Sequence, residues 1–202
     1  MKNKWTKHLY WAIPVAILLV LIMWVVGSYN SLVKADVNVD NAWAQVQTVY
    51  QRRADLIPNL VNTVQGAANF EKETQTKIAE LRTSASAIKS EMQSAKTPTE
   101  LNAAGEKLDD VVAGYRSLNI NVENYPELKA TTNFLALQDE LAGTENRVSV
   151  ERMRYNDAVG EYNKMTRFFP KNVIANMFGF EAREMFEAAE GAEKAPQVSF
   201  TA

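Results

Sequence analysis

Residues 39–67 read VDNAWAQVQTVYQRRADLIPNLVNTVQGA, and this stretch decides the fold. Its seam residues follow one another in alternating steps of four and three, the heptad spacing of an α-helix that packs along one face. The series is Val39, Trp43, Val46, Tyr50, Arg53, Ile57, Leu60, Val64 and Ala67. Pro58 lies inside the pattern, which resumes beyond it, so we expect a kink or one lost backbone hydrogen bond but no helix end.

The same spacing returns in three later segments. The second series is Ile78, Leu81, Ala85, Ile88, Met92 and Ala95, and the third is Leu101, Leu108, Val111 or Val112, Tyr115 and Leu118. The fourth follows Pro126 and contains Phe134, Gln138, Leu141, Glu145, Val148, Arg152, Tyr155, Val159, Tyr162, Thr166 and Phe169. Thr97, Pro98 and Glu100 have the order of a capping box, which predicts that the third helix begins at Pro98. We therefore predict an all-α fold with an elongated antiparallel up-down four-helix bundle over residues 29–169.

A membrane helix is predicted before the bundle. Residues 9–26, LYWAIPVAILLVLIMWVV, carry no charge and are just long enough to cross a hydrocarbon core of about 30 Å. We place a retained signal anchor at 9–28; the alternative is a cleaved signal peptide. Lys2, Lys4 and Lys7 precede the span, so the positive-inside rule places residues 1–8 in the cytoplasm and the bundle outside.

Composition excludes several classes of function. The chain has no cysteine and one histidine, His8, which leaves no thiolate site and no Glu-x-x-His di-iron site. Residues 1–34 hold four lysines and no acid, so the remainder is acidic and is not expected to bind nucleic acid. The acids Asp36, Asp40, Asp109, Asp110, Asp139 and Glu140 are interpreted as solvated helix residues. We predict no catalytic, cofactor-binding or metal-binding residues.

Charged residues in the seams predict a structural ion pair. If the first and fourth helices are antiparallel neighbours, pairing Ala67 with Thr131 brings Arg53 opposite Glu145 and Arg152 near Tyr50. A buried arginine needs a countercharge, and such a pair would fix the register of two long helices. The alternative is that Arg53 or Glu145 binds a ligand.

Residues 170–190 are predicted to form a membrane-proximal amphipathic segment, and 191–202 a disordered tail. Next to the amphipathic segment, residues 29–41 and 157–169 have no second hairpin beside them and should form a thin two-helix stalk. The expected interaction surface is Val173, Ile174, Met177, Phe178 and Phe180. We expect a neighbouring subunit to cover this surface, because Glu181, Glu184 and Glu187 would be repelled by anionic lipid. The alternatives are lipid headgroups and a fold back onto the chain's own bundle.

Several stretches resemble the bacterial LemA family: Tyr29–Val33, Arg52–Val61, Glu123–Ala130, Gly143–Arg147, Tyr162–Asn163 and Phe169–Pro170. The family motif residues are Arg52, Arg53, Asp55, Pro58, Asn59, Glu123, Asn124, Pro126, Glu145 and Asn146. The resemblance implies a membrane anchor followed by a helical bundle, and it implies no established activity. It also admits the opposite orientation, with the short N-terminus outside.

These observations predict a non-enzymatic scaffold or adaptor of the bacterial inner membrane that self-associates or binds envelope proteins. Its expected partners are the lipid bilayer and further copies of this chain. The resemblance makes a second hypothesis plausible, a regulatory partner of a membrane zinc protease in envelope quality control. An unidentified enzyme is the third.

Overall fold

The computed structural model describes residues 4–67, 72–117 and 132–187, which form five α-helices and no strand. The helices are α1 (Lys4–Ala67), α2 (Lys72–Ser94), α3 (Pro98–Ser117), α4 (Thr132–Arg167) and α5 (Lys171–Phe178). The predicted all-α fold is confirmed. Glu123, Asn124 and Pro126 lie outside the described residues, as does the predicted tail at 191–202.

The membrane helix and the first bundle helix are one element. α1 runs without interruption from Lys4 to Ala67, through Gly27 and Pro58. Among the described residues it is the one helix whose length and composition would allow it to cross a membrane. Large apolar side chains between Trp11 and Val26 are mostly exposed, which suggests membrane anchoring.

The chain divides into two compact units. The bundle unit consists of the described residues of Gln45–Met153 together with those from Glu184 onward. Parts of α1 and α4 join α2 and α3 there, around an apolar core. The buried core residues include Val46, Tyr50, Ile57, Leu60, Ile78, Ile88, Met92, Leu101, Leu108, Leu141 and Val148. All eleven of these residues are members of the predicted seams.

The start of α3 agrees with the predicted capping box. α3 begins at Pro98, and the backbone N–H of Glu100 donates to Thr97 Oγ1 at 3.2 Å. The Glu100 carboxylate accepts the N–H of Lys96 at 2.8 Å, one residue before the position that the motif predicts. The last two residues of the α2–α3 connection, Lys96 and Thr97, are thus each held by one half of the box.

The anchor unit consists of α1 up to Ala44 and residues Arg154–Arg183. The predicted thin stalk is corrected here, since Leu32, Val39, Val159 and Tyr162 are all buried. Ile174 and Ala175 of α5 pack on Leu32, and Arg183 of the chain that follows lies beside Tyr162. Phe169, also assigned to the stalk, is exposed.

The turn after α5 depends on a glycine. Gly179 has φ 75°, the left-handed region that side chains with a Cβ rarely adopt. The N–H of Phe180 then donates to the carbonyl of Ala175 at 2.9 Å, the bond of a Schellman motif. Phe180 packs beside Ala175, so the turn directs the following residues back along the anchor unit.

Candidate functional site

One turn of α1 ties this helix to each of the other three helices of the bundle unit. We call Arg52, Arg53 and Asp55 the charged turn. Arg52 binds Glu140 of α4, with Nη2 at 2.6 Å and Nε at 3.2 Å from Oε1. On the other sides, Arg53 Nη2 lies 2.5 Å from Asp109 Oδ1 of α3, and Lys89 Nζ of α2 lies 2.5 Å from Asp55 Oδ1. The three pairs form together at one register and one rotation of α1.

Arg53 is the buried member of the charged turn, with 5% of its surface exposed. Its Nη2 donates to Asp109 and lies 3.9 Å from Glu145 Oε2, the partner expected from the sequence. Its Nε has no hydrogen-bond acceptor among the described residues. A buried cation without a close carboxylate is strongly unfavourable, so Asp109 is the principal countercharge.

Tyr50 is buried one turn before Arg53 and faces α3. A Cβ added at Gly105 would lie 2.8 Å from Tyr50 Cε1, so the ring fits because residue 105 has no side chain. Burial raises the pKa of the Tyr50 hydroxyl, and the nearby cations Arg152 and Arg53 oppose that rise. Arg152 therefore lies near Tyr50, in the predicted place, and its guanidinium also stacks over the Phe186 ring at 4.9 Å.

Two shallow hollows open on the surface of the bundle unit. The larger, of about 490 Å³, lies between α1 and α4 and is lined by Asn59, Asn62, Thr63, Ala136, Leu137 and Glu140. The smaller, of about 370 Å³, lies between α2 and α3. Within the described ranges, no three His, Asp or Glu side chains group closely enough to hold a metal ion.

A second charged cluster lies in the anchor unit. Arg183 Nη2 donates to Asp36 Oδ1 at 2.9 Å and to Asp40 Oδ1 at 3.3 Å, both on α1. The side-chain amide of Asn163 accepts the N–H of Arg183 and donates to its carbonyl, both at 2.9 Å. These contacts hold residues 180–183, which we call the return segment, against α1 and α4.

Burial also affects Tyr162, beside this cluster. Its pKa is raised, first by burial and then by the negative charge of Asp36. The Asp36 carboxylate likewise raises the pKa of Arg183, through their hydrogen bond. Tyr162 and Asn163 thus both contact Arg183 of the return segment.

The structure separates the residues of the expected interaction surface. Ile174 is buried with Ala175 against Leu32, and Phe180 is partly buried beside them. Val173, Met177 and Phe178 are at least half exposed. α5 therefore folds back onto the chain's own helices, which is one of the alternatives given above. This buries one side of α5 and leaves the other side exposed.

Other predicted residues are placed as follows. Pro58 is half-buried within α1, Asn59 lines the larger hollow, and Asn146 is exposed on α4. Asp109 and Glu140, interpreted from the sequence as solvated, are instead the partners of Arg53 and Arg52. Both acids are partly exposed, so their spacing on the helices gave no sign of the pairing. The sequence pattern likewise gives no sign that Lys89 and Arg183 pair with acids of α1.

Comparison with known proteins agrees with the resemblance. The sequence model of the LemA family matches residues 42–200. The chain is 27% identical to Protein LemA of Metamycoplasma hominis, over 82% of this chain and 71% of the relative. It is 23% identical to the Magnetosome proteins MamQ 1 and MamQ 2 of Paramagnetospirillum magneticum, over 89% of this chain and 72% of each relative. Since the family match covers well over half of its residues, this chain belongs to the LemA family.

Proposed function

We propose that this protein is a non-enzymatic scaffold or adaptor anchored in the bacterial inner membrane by α1. In this proposal the N-terminus is cytoplasmic and the helices after the span are outside. One observation carries the proposal: a single uninterrupted helix supplies both the exposed apolar segment and a packed helix of the bundle unit. A scaffold needs such a connection, because it must hold a folded body at a fixed place on a membrane.

The charged turn supports the same proposal. Register between long packed helices is otherwise free to slip by a heptad, and polar pairs at single seam positions prevent this. Arg52, Arg53 and Asp55 bind three different helices, so they would keep the bundle unit in one arrangement when a partner binds it. A fixed arrangement is what a recognition surface requires.

Native mass tests the proposal. Two differently tagged copies of the full chain are expressed together, extracted in mild detergent and purified through one tag. Recovery of the second tag at a defined mass supports self-association, and a membrane zinc protease in stoichiometric amount supports the adaptor role. The control mixes separately expressed copies after extraction, so that exchange in detergent is recognised. A monomer free of other proteins, seen also after cross-linking in intact membranes, would contradict the proposal.

A further inference from the structure

An exposed apolar face remains in the anchor unit after α5 has folded back. It consists of Phe168, Phe169, Val173, Met177 and Phe178, which we call the membrane-proximal face. Each of these side chains is at least half exposed, and Phe169 is 82% exposed. Val173 and Met177 lie one turn apart on α5, opposite the buried Ile174 and Ala175.

The buried side of α5 shows where this face lies along α1. Ile174 and Ala175 pack on Leu32, with Val25 beside them, and Val25 is next to the last residue of the uncharged run. The Tyr29 ring lies 4.8 Å from that of Phe178 and 5.8 Å from that of Phe180. α5 therefore contacts α1 where the uncharged run of the sequence ends.

The charges around the face are positive. Residues 162–180 contain Lys164, Arg167 and Lys171 and no acid, but Lys164 pairs with Glu161 at 2.7 Å, which leaves Arg167 and Lys171 as the basic residues beside the face. Lys171 donates to Ser31 of α1, and Arg167 is exposed next to Phe168. Basic residues at the edge of an apolar, aromatic surface are typical of segments that lie on anionic membranes.

The acids that favoured a neighbouring subunit over lipid, Glu181, Glu184 and Glu187, come after the membrane-proximal face in the chain. After Phe180 the return segment leaves the level of Tyr29 and reaches Asp36 and Asp40, about 10 to 16 Å further along α1 at 1.5 Å per residue. Between Phe180 and Arg183 the one acid is Glu181, and Glu184 and Glu187 come after Arg183. The sequence of charges thus changes from basic to acidic as the chain moves away from the end of the span.

We propose that the membrane-proximal face lies in the lipid interface of the membrane that α1 spans, with its rings and aliphatic chains at the acyl boundary. Arg167 contacts the phosphates of anionic headgroups. Two helices would then contact the membrane: α1 would span it and α5 would lie along its surface. The inference rests on the membrane anchoring in the proposed function and is independent of the scaffold role.

Spin-label depth measurement tests this placement. The chain has no cysteine, so one introduced cysteine is labelled specifically. The full chain carrying Met177→Cys or Val173→Cys is reconstituted in vesicles of phosphatidylethanolamine and phosphatidylglycerol. Collision rates of the label are then measured with oxygen, which concentrates in lipid, and with a water-soluble nickel chelate. Met153→Cys is the matched control, since Met153 and Met177 are similarly exposed, at 59% and 64%.

For labels at 177 and 173, we expect the collision rate with oxygen to exceed that with the chelate. For the label at 153, we expect the collision rate with the chelate to exceed that with oxygen. Chelate access at 177 and 173 equal to that at 153 would overturn the proposal. Protection from both reagents with dipolar broadening would also overturn it, because a second copy would then cover the face. An Ile17→Cys label in the apolar part of α1 separates these results from failure of the anchor itself, which would give an aqueous reading at 17.

The headgroup contact has its own test. Arg167→Gln is expected to move the label at 177 toward water in vesicles that contain phosphatidylglycerol. No such change is expected when phosphatidylcholine replaces it. Arg147→Gln, an exposed arginine earlier on α4, is the matched control and should leave the depth unchanged. Equal depths for Arg167→Gln and the wild type in anionic vesicles would overturn the contact.

Discussion

Arg53 brings a permanent charge into the packed face of α1, and its neighbours determine whether the bundle unit tolerates it. Asp109 lies 2.5 Å from the guanidinium, while Glu145 lies at 3.9 Å, beyond hydrogen-bond range. Asp109 has 56% of its side chain exposed, so solvent weakens the pair without removing the desolvation of Arg53. At this scale the two carboxylates should make unequal contributions.

We expect Asp109→Asn to destabilise the bundle by about 1–3 kcal/mol, because Arg53 keeps its burial and loses its closest countercharge. Glu145→Gln should cost less than Asp109→Asn. Asp110→Asn, the adjacent exposed acid, is the control and should stay within about 0.5 kcal/mol of wild type. Equilibrium urea unfolding of the full chain in detergent, followed by circular dichroism, measures all three. A larger loss for Glu145→Gln would mean that Glu145 carries the pair.

Gly105 gives a second prediction for a single residue. Gly105→Ala places a Cβ 2.8 Å from the Tyr50 ring, and we expect overpacking to destabilise the bundle by about 1–3 kcal/mol. Gly143→Ala is the control, because a Cβ there has nothing within 4 Å and alanine favours a helix by about 1 kcal/mol. The same unfolding assay should move the two variants in opposite directions. Equal gains in stability would show that the Tyr50 ring can move away from α3.

At the scale of elements, heptad spacing was sufficient to predict the helices but not all of their contacts. The seams and the capping box predicted α1 to α4 because periodicity and end signals are local. The antiparallel register relates α1 to α4 alone and leaves the rotation of α3 undetermined, so Asp109 could not be derived as the partner of Arg53. The return segment has no period at all, and nothing in its spacing relates Arg183 to Asp36.

The start of α3 provides the prediction for an element. Thr97→Ala removes the oxygen that accepts the N–H of Glu100, and we expect a loss of about 1 kcal/mol. Thr83→Ala within α2 is the control, because the Thr83 hydroxyl only bonds back to the carbonyl of Ala79 in its own helix. Urea midpoints of both variants at equal unfolding slope provide the comparison. If the two midpoints match, the capping oxygen is not needed.

For the whole molecule, the proposed orientation is the property that most affects function, because it determines which compartment supplies the partners. Lys2, Lys4 and Lys7 precede the uncharged run, while Lys34 follows it and is close to Asp36 and Asp40. Counted near the ends of a span, this difference favours a cytoplasmic N-terminus. The resemblance to the LemA family admits both orientations, so the orientation needs a direct measurement.

A protease added to intact spheroplasts should therefore digest the helices beyond the span. Immunoblotting against a C-terminal tag measures the loss, and an abundant cytoplasmic protein serves as the control for intact cells. Digestion after detergent treatment shows that the chain is cleavable at all. Survival of residues 40–187 in intact spheroplasts, with cleavage after permeabilisation, would reverse the orientation.

The two hydrogen bonds from Asn163 to the backbone of residue 183 affect which amino acids this part of the chain can accept. Asn163 binds the N–H and the carbonyl of Arg183, groups that every residue except proline offers. The path of the return segment is thus set separately from the chemistry displayed on it. Position 183, together with 36 and 40, is free to exchange its ion pair for another compatible set without altering the course of the backbone. Related chains with different residues at these three positions can therefore share one fold here.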